Sequence, residues 1–98
     1  MDRIKDWEKF SKQMVKHINV YAKPQYQSED KAIDEAGLYS SQECVLAINK
    51  YINRYGKGVR GNIEALRDMF KISHYGQIAY EKLSRELGAT IYEEPKES

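Results

Sequence analysis

The chain has 98 residues, of which 41% are hydrophobic and 32% charged, and its formal net charge is +1. This composition is typical of one globular domain rather than a disordered chain, and no apolar run approaches the roughly 20 residues that cross a bilayer. The nearly balanced charge argues against a wholesale nucleic-acid binder, because such domains usually carry a strong basic excess. The charged N-terminal stretch has no apolar segment of the kind that a secretory signal needs, so we expect a cytoplasmic protein without membrane association.

The first predicted helix covers residues 2 to about 22. Its apolar residues recur at spacings of three and four and therefore draw one stripe along a helix: Ile4, Trp7, Phe10, Met14, Ile18 and Tyr21. Pro24 ends this helix, because its ring removes a backbone donor and disfavours helical geometry in the residue before it. A short second helix is predicted over SEDKAIDEA, residues 28–36, with Ser28 as its N-cap and Gly37 as its stop.

A third helix is predicted over the apolar run CVLAINKYINRY. It starts at Ser40, which has the spacing of a capping box with Glu43 in front of this run. Its core face is expected to comprise Cys44, Ile48, Tyr51 and Tyr55, widened by Val45 and Ile52. Cys44 is the only cysteine and lies among apolar residues, so we interpret it as a small core residue rather than a reactive thiol. Gly56 is expected to end this helix in left-handed geometry.

The fourth predicted helix begins at Asn62, which can cap it, and runs to a stop at Gly88. It is expected to be largely buried through its apolar residues, which are Ile63, Leu66, Met69, Phe70, Ile72, Ala79, Leu83 and Leu87. Gly76 lies inside this helix at a cost of roughly 1 kcal/mol relative to alanine. A glycine in that position indicates the close approach of another backbone or of a ligand.

These elements predict an all-α fold, a small bundle of two long and one or two shorter helices. The single helical domain is expected to cover residues 1–92, followed by a disordered tail at 93–98. The third and fourth helices are expected to form an antiparallel hairpin. Their apolar stripes are wider than one intramolecular partner would cover, and the residues left over are Tyr39, Leu46 and Tyr80. We therefore also expect a homo-oligomer.

The turn between the two long helices contains GKGVRG, residues 56–61, which has the G-x-G-x-x-G spacing of dinucleotide-binding loops. That motif requires a buried strand in front of its glycines, so that the chain turns sharply off the edge of a sheet. A predicted helix precedes Gly56 instead. The simplest interpretation of the glycines is therefore a tight turn between helices.

Basic residues are concentrated around this turn, where residues 50–71 contain six cations and two carboxylates. Two antiparallel helices bring such residues together, and the amide groups that begin the fourth helix add partial positive charge, so the turn can bind a phosphate. Tyr51, Tyr55, His74 and Tyr75 offer flat faces on which a base can stack. The candidate ligand-binding residues are Lys50, Arg54, Lys57, Arg60, Arg67, Asp68, Lys71, His74 and Tyr75. In the alternative interpretation Asp68 pairs with Lys71 or Arg54, and the other cations form an ordinary solvated surface.

Two motifs frame the same region. The first is K-Y-x-x-R-x-G-K, at Lys50, Tyr51, Arg54, Gly56 and Lys57, and the second is D-hydrophobic-x-K-hydrophobic-x-x-Y, at Asp68, Met69, Lys71, Ile72 and Tyr75. Together they resemble a family of small helical domains from tailed phages described as nucleotide kinase-like. The family's upstream histidine-tyrosine pair has only the weak counterpart PQYQ here. The resemblance implies that the ligand is a nucleotide or another phosphorylated small molecule. Whether a reaction is catalysed, and with which cofactor, stays open, because the glycines are not followed by a Walker Gly-Lys-Ser/Thr.

Metal-dependent chemistry has little support in the sequence. All-alpha nucleotide pyrophosphohydrolases hold Mg²⁺ with E-x-x-E and E-x-x-D carboxylates on facing helices. The candidates here do not have that spacing and are expected to form a solvated helix face: Glu29, Asp30, Asp34 and Glu35. His17, Cys44 and His74 have no neighbours at ligand spacing, so we expect no metal site.

Two other classes of function compete with a phosphate-binding protein. One is a non-enzymatic phage-type interaction or inhibitor protein that docks a host protein through a tyrosine-rich surface. The other is weak nucleic-acid binding through the same cations, which the modest net charge makes the least favoured of the three.

Overall fold

The computed structural model describes the chain at residues 1–22, 27–28, 31–34, 39–57 and 61–92. These residues include three α-helices, α1 at Arg3–His17, α2 at Ser41–Arg54 and α3 at Gly61–Leu87, and a π-helical turn at Ile18–Ala22 extends α1. The described residues are predominantly helical, which confirms the predicted class. None of the helices described has the combination of length and apolar composition that would let it cross a bilayer. The predicted tail at 93–98 lies outside the described residues.

The first helix begins where an aspartate caps it. The Asp2 carboxylate accepts hydrogen bonds from the backbone N–H groups of Ile4 and Lys5, both at 3.1 Å, which satisfies two donors that a helix start leaves without partners. No residue of α1 is buried. Its contact with the rest of the molecule includes Phe10, whose ring stacks on that of Phe70 in α3 at 4.8 Å between centroids. Aromatic stacking thus contributes to holding α1 against α3.

The short helix predicted over residues 28–36 is wrong. The chain forms two short antiparallel strands there, β1 at Gln27–Ser28 and β2 at Lys31–Asp34, with Ser28 opposite Lys31. An isolated helix this short is marginal in water unless its apolar face packs against other elements, whereas paired strands satisfy their backbone groups locally. Gly37 and Pro24, predicted as stops, lie outside the described residues.

The capping box of α2 is confirmed. The Ser40 hydroxyl accepts a hydrogen bond from the Glu43 backbone N–H, and the Glu43 carboxylate accepts one from the Ser40 N–H, both at 3.1 Å. Cys44 is 0% exposed, as its interpretation as a core residue requires, and burial raises the pKa of its thiol. After α2 the chain passes through Gly56 with φ +79°, the left-handed geometry predicted for the helix stop.

The start of α3 differs from the prediction by one residue. The helix begins at Gly61, which has φ +82°, so Asn62 lies inside the first turn and is not the N-cap. Glycine adopts this left-handed conformation without the penalty of a Cβ atom, so Gly61 can make the turn that leads into α3. The predicted stop at Gly88 is confirmed by its φ of +63°.

The core lies between α2 and α3, whose ends are joined by hydrogen bonds. Near one end of the pair, the Ser41 hydroxyl donates to the Glu86 carboxylate at 3.3 Å; near the other, Arg54 contacts Asp68. The two helices therefore run in opposite directions along each other. The buried hydrophobic residues are Cys44, Tyr51, Tyr75 and Ile78, and those packed partly buried against them are Tyr39, Ala47, Ile48, Ile72 and Ala79.

Most of the apolar residues through which α3 was predicted to be buried are exposed. Leu66, Leu83 and Leu87 are 61%, 46% and 70% exposed. The residues buried on α3 are Asp68, Lys71, His74, Tyr75 and Ile78. Burial of Asp68 and Lys71 is tolerated because α2 supplies Arg54 and the Tyr51 ring as partners, and a buried polar group costs little once it is paired. The prediction that α3 is largely buried through its apolar residues is therefore wrong for these leucines, whereas Ile72 and Ala79 do pack against the core.

Candidate ligand site

An ion pair joins the end of α2 to the first half of α3. Arg54, in the last turn of α2, donates from Nη2 to Asp68 Oδ1 at 2.5 Å and from Nε to Asp68 Oδ2 at 3.3 Å. The carboxylate is almost fully buried, and about a quarter of the arginine side chain is exposed. The hydrogen bond to Asp68 is the main cause that raises the pKa of Arg54, so the guanidinium stays charged. Two-point contact also fixes its orientation.

Lys71 lies beside this pair and is itself buried. Its Nζ atom is 4.0 Å from Asp68 Oδ1 and 5.3 Å from the centre of the Tyr51 ring. A carboxylate and an aromatic face both attract an ammonium group, and together they offset the cost of removing it from water. Lys71 is therefore a component of a buried network and not a cation on the surface.

The ring of Tyr51 is the centre of that network. Arg54 Cζ lies 5.0 Å from its centroid and Lys50 Nζ lies 5.9 Å from it, so three cations surround one aromatic residue. Tyr75 stacks on Tyr51 at 6.0 Å between ring centroids and on Tyr39 at 5.9 Å. The contact between Tyr51 and Tyr75 joins α2 to α3 next to the ion pair.

A cavity of about 720 Å³ opens in front of the ion pair, where α2 ends and α3 begins. Its volume lies within the roughly 300–1,000 Å³ range of small-molecule sites. The residues that line it are Tyr51, Arg54, Tyr55, Gly56, Lys57, Gly61, Asn62, Glu64, Ala65, Asp68 and Met69. The wall thus combines aromatic rings, two cations, two carboxylates and the first turn of a helix.

The nine predicted site residues fall into separate groups. Arg54, Lys57 and Asp68 line the cavity. Lys71 and Tyr75 lie behind its wall, in contact with Asp68 or Tyr51. The remaining predicted residues stand apart: Lys50 approaches the ring of Tyr51 only at 5.9 Å, Arg67 pairs with Glu64, His74 is buried next to Tyr75, and Arg60 lies outside the described residues.

His17 of α1 faces a positive part of α3. Its ring stacks on Phe70 at 5.3 Å. Burial is the largest cause that lowers the pKa of His17, and the charges of His74, Lys71 and Arg67 lower it further. Arg67 and His74 therefore contribute to the electrostatic surroundings of α1, and neither lines the cavity.

Several residues of the wall were not among the predicted site residues. They are Tyr51, Tyr55, Gly56, Gly61, Asn62, Glu64, Ala65 and Met69. The spacing of three or four residues that relates Asn62, Ala65 and Met69 could have placed them on one side of the helix. Tyr51 and Tyr55 were expected to offer stacking faces but were not included in the predicted site, which was centred on the cations, and Ala65, Met69 and Glu64 were missed.

The electrostatics of the wall differ from those of an open cation cluster. Arg54 and Lys57 are accompanied by Asp68 and Glu64, and the interpretation in which Asp68 pairs with Arg54 agrees with the contacts. A guanidinium has five N–H donors, of which Asp68 receives two. Arg54 thus has further N–H donors for a ligand while its hydrogen bonds to Asp68 fix its position.

No protein-family model, curated protein or solved structure matches the chain. Within the described residues, no group of three or more His, Cys, Asp or Glu side chains is arranged to hold a metal ion. The chemistry of the cavity wall is therefore the basis on which a function can be assigned.

Proposed function

We propose that this protein binds a phosphorylated small molecule, a nucleotide, in the cavity between the end of α2 and the start of α3. The observation that carries the proposal is the composition of the wall, in which cations and a helix start adjoin aromatic rings. Each part matches one part of a nucleotide. The volume of about 720 Å³ accommodates a ligand of that size.

The phosphate is assigned to the side of Lys57, Arg54 and the first turn of α3. Gly61 and Asn62 begin α3, and the N–H groups of a first turn have no partners within the helix. Such groups and the positive end of the helix dipole stabilise an anion. Lys57 is exposed and follows Gly56 directly. Its ammonium group can therefore contact the same anion without breaking a buried contact.

The base and sugar are assigned to the side of Tyr55 and Glu64. Tyr55 lines the cavity yet is 72% exposed, so its ring can stack on a base. The Glu64 carboxylate can accept a hydrogen bond from a ribose hydroxyl or from an exocyclic amino group. A ligand with both an anionic and a hydrogen-bond-donating part fits this wall better than a free phosphate does.

The resemblance to the phage nucleotide kinase-like family supports the same ligand class, since Arg54, Lys57 and Asp68 of its motifs line the cavity. We accordingly propose a role in phage-derived nucleotide metabolism in the cytoplasm. The proposal concerns binding and assigns no reaction.

A titration with nucleoside mono-, di- and triphosphates of all bases tests the proposal. Lys57→Ala removes an exposed cation of the wall and leaves the ion pair intact, so we expect it to weaken binding by about 10-fold, as the loss of one charged contact does. Lys12→Ala removes the same charge from the exposed face of α1 and is the matched control. Arg54→Ala should weaken binding further. The proposal fails if no nucleotide binds, or if Lys57→Ala and Lys12→Ala bind equally well.

A non-enzymatic interaction or inhibitor protein is the second candidate, and the exposure of α1 favours it. Ile4, Trp7 and Val15 are all more than half exposed, although Trp7 belongs to the apolar stripe of the helix. An aromatic residue in that position is typical of interface anchors. If this class is correct, a purified host protein forms a stoichiometric complex that Trp7→Ala weakens, and nucleotides neither bind nor alter it.

A further inference from the structure

The exposed part of α1 carries two rows of residues, one apolar and one basic. The apolar row has spacings of three or four and comprises Ile4, Trp7, Ser11 and Val15. Its hydrophobic members Ile4, Trp7 and Val15 are all more than half exposed. The lysine row has spacings of four, three and four and comprises Lys5, Lys9, Lys12 and Lys16, all of them exposed. Residues at such spacings lie on one side of a helix, so each row is a continuous strip along α1.

Both rows lie away from the side of α1 that packs on α3. Phe10 and His17, whose rings stack on Phe70, are two helical turns apart and therefore lie on one side of α1. At about 100° per residue, the apolar row and the lysine row each lie about a third of a turn from this side and from each other. The direction midway between the two rows therefore points away from α3. The cavity is lined by α2, α3 and the turn between them, so neither row overlaps it.

The lysine row gives this part of α1 a positive excess. In the part of the chain that the structure describes, the ion pairs involve other cations, namely Arg54, Arg67 and Lys71. Among the residues of α1, Glu8 supplies the carboxylate that lies between the two rows. Four lysines and one glutamate leave an excess of three positive charges there. Such an excess attracts a surface that carries many negative charges.

The apolar row favours a lipid surface over other polyanions. Trp7 contacts the ring of Phe10 at 5.5 Å between centroids, yet it is 62% exposed. An indole combines an apolar body with an N–H donor, and tryptophan is enriched where a membrane meets water. Ile4 and Val15 offer nothing to a nucleic-acid backbone, which binds cations and hydrogen-bond donors. A membrane interface accommodates both rows, because it presents apolar chains next to charged headgroups.

We propose that α1 lies on the surface of a membrane that contains anionic lipids, with the apolar row in the interface and the lysine row on the headgroups. Amphipathic helices of this composition bind in the plane of the interface, and clusters of four or more basic residues on them recognise anionic lipids. The expectation of no membrane association rested on the lack of an apolar segment, which a helix in this position does not need. The contact is separate from the proposed nucleotide site and does not depend on it.

The fluorescence of Trp7 tests the insertion of the apolar row, because Trp7 is the only tryptophan in the chain. Its emission should shift to shorter wavelength with vesicles of equal parts phosphatidylserine and phosphatidylcholine, and vesicles of phosphatidylcholine alone should cause no shift. Bromine atoms on the upper part of the acyl chains should quench the emission, since such helices reach the boundary between headgroups and chains. Vesicle binding that leaves the emission unchanged, equal binding to both kinds of vesicle, or no binding would overturn the proposal.

Co-sedimentation with the phosphatidylserine vesicles tests the lysine row. Lys12→Gln should weaken binding by about 5-fold, the equivalent of one lysine near an anionic surface, and Glu8→Gln should strengthen it by about the same factor. Lys50→Gln removes the same charge from an exposed position of α2 and is the matched control, which should bind as the wild type does. Glutamine has nearly the helix propensity of lysine and glutamate, so α1 should stay folded. Equal binding by Lys12→Gln and Lys50→Gln, or weaker binding by Glu8→Gln, would contradict the proposal.

Two other occupants of this surface give different results. A nucleic acid is represented by a mixed-sequence oligonucleotide, and an acidic protein surface is represented by poly-glutamate. Binding of either probe through the lysine row, with the vesicles inert, would assign the surface to that class and overturn the proposal. Trp7→Ala should weaken vesicle binding by about 10-fold or more, because it removes a large apolar group from the interface. If Trp7→Ala binds the vesicles as tightly as the wild type, the apolar row is not in the membrane and the proposal is wrong.

Discussion

Arg54 at the end of α2 binds both carboxylate oxygens of Asp68 in α3, and this ion pair forms the back of the cavity in which we place the ligand. The pair joins residues that are 14 positions apart in the sequence. It holds the two helices together and sets the direction of the guanidinium at the same time. Stability and ligand binding are therefore expected to depend on the same contact.

Replacing Asp68 with asparagine should lower the free energy of unfolding by about 1–3 kcal/mol, because Arg54 and Lys71 then lack their carboxylate in a mostly buried position. This exceeds the loss of about 1 kcal/mol or less expected for an exposed pair. Urea titration gives the value. Glu64→Gln, which breaks the more exposed pair with Arg67, is the control and should cost less. Equal stability of wild type and Asp68→Asn would contradict the structural role of the pair.

Tyr51 should matter through its ring. Tyr51→Leu removes the aromatic ring that Arg54 and Lys71 contact, and it should lower the free energy of unfolding by about 2–4 kcal/mol. Tyr51→Phe keeps the ring and should cost about 1 kcal/mol or less. Thermal or urea unfolding of the two variants measures the difference. If both variants lose the same stability, the hydroxyl and not the ring is the important group.

Among the aromatic contacts, the stack of Phe10 on Phe70 should govern the opening of α1. Because α1 has no buried residue, Phe10→Ala should raise the exchange rate of the α1 amide hydrogens by about 10-fold. This factor corresponds to the free energy of one aromatic contact. Amides of α2 should keep their protection. Val15→Ala, an exposed change in the same helix, is the control. A uniform loss of protection in all helices would show that α1 is part of the global unfolding unit.

His17 should make the protein less stable in mild acid. Its pKa is lowered in the folded state, so below the ordinary value of 6.5 the unfolded chain binds a proton that the folded chain does not. The contribution of neutral His17 to the free energy of unfolding is therefore fully present above pH 6.5. It is lost as the pH decreases from there through the lowered pKa of the folded state. The urea midpoint should therefore decrease between about pH 7.5 and 5.5 in the wild type and decrease less in His17→Gln. An identical decrease in both would assign the effect to other groups.

The sequence was informative where structure depends on neighbouring residues. Ser40 and Glu43 form their capping box because the partners are three positions apart, and Gly56 adopts positive φ at the helix stop. The burial of α3 could not be predicted in this way. Lys71 is inside because its ammonium meets the ring of Tyr51 and the carboxylate of Asp68, and the first of these partners belongs to another helix.

The same limit applies to the candidate site. The concentration of charge identified the region, and Arg54, Lys57 and Asp68 do line one cavity. Charge could not distinguish these residues from Arg67, which pairs with Glu64. The Arg67–Glu64 pair lies within one helix at a spacing of three, whereas the contact of Arg54 with Asp68 depends on the packing of α2 against α3, which local spacing does not determine.

The most direct test of the proposed site is an amide chemical-shift map recorded by NMR with a bound nucleotide and with the matching nucleoside. The phosphate should shift the backbone N–H signals of Lys57, Gly61 and Asn62, because these groups surround its assigned position. The nucleoside should leave these three signals almost unchanged and shift those near Tyr55. Shifts confined to α1 or to the C-terminal half of α3, or no shifts at saturating nucleotide, would contradict the assignment of this cavity as a nucleotide site.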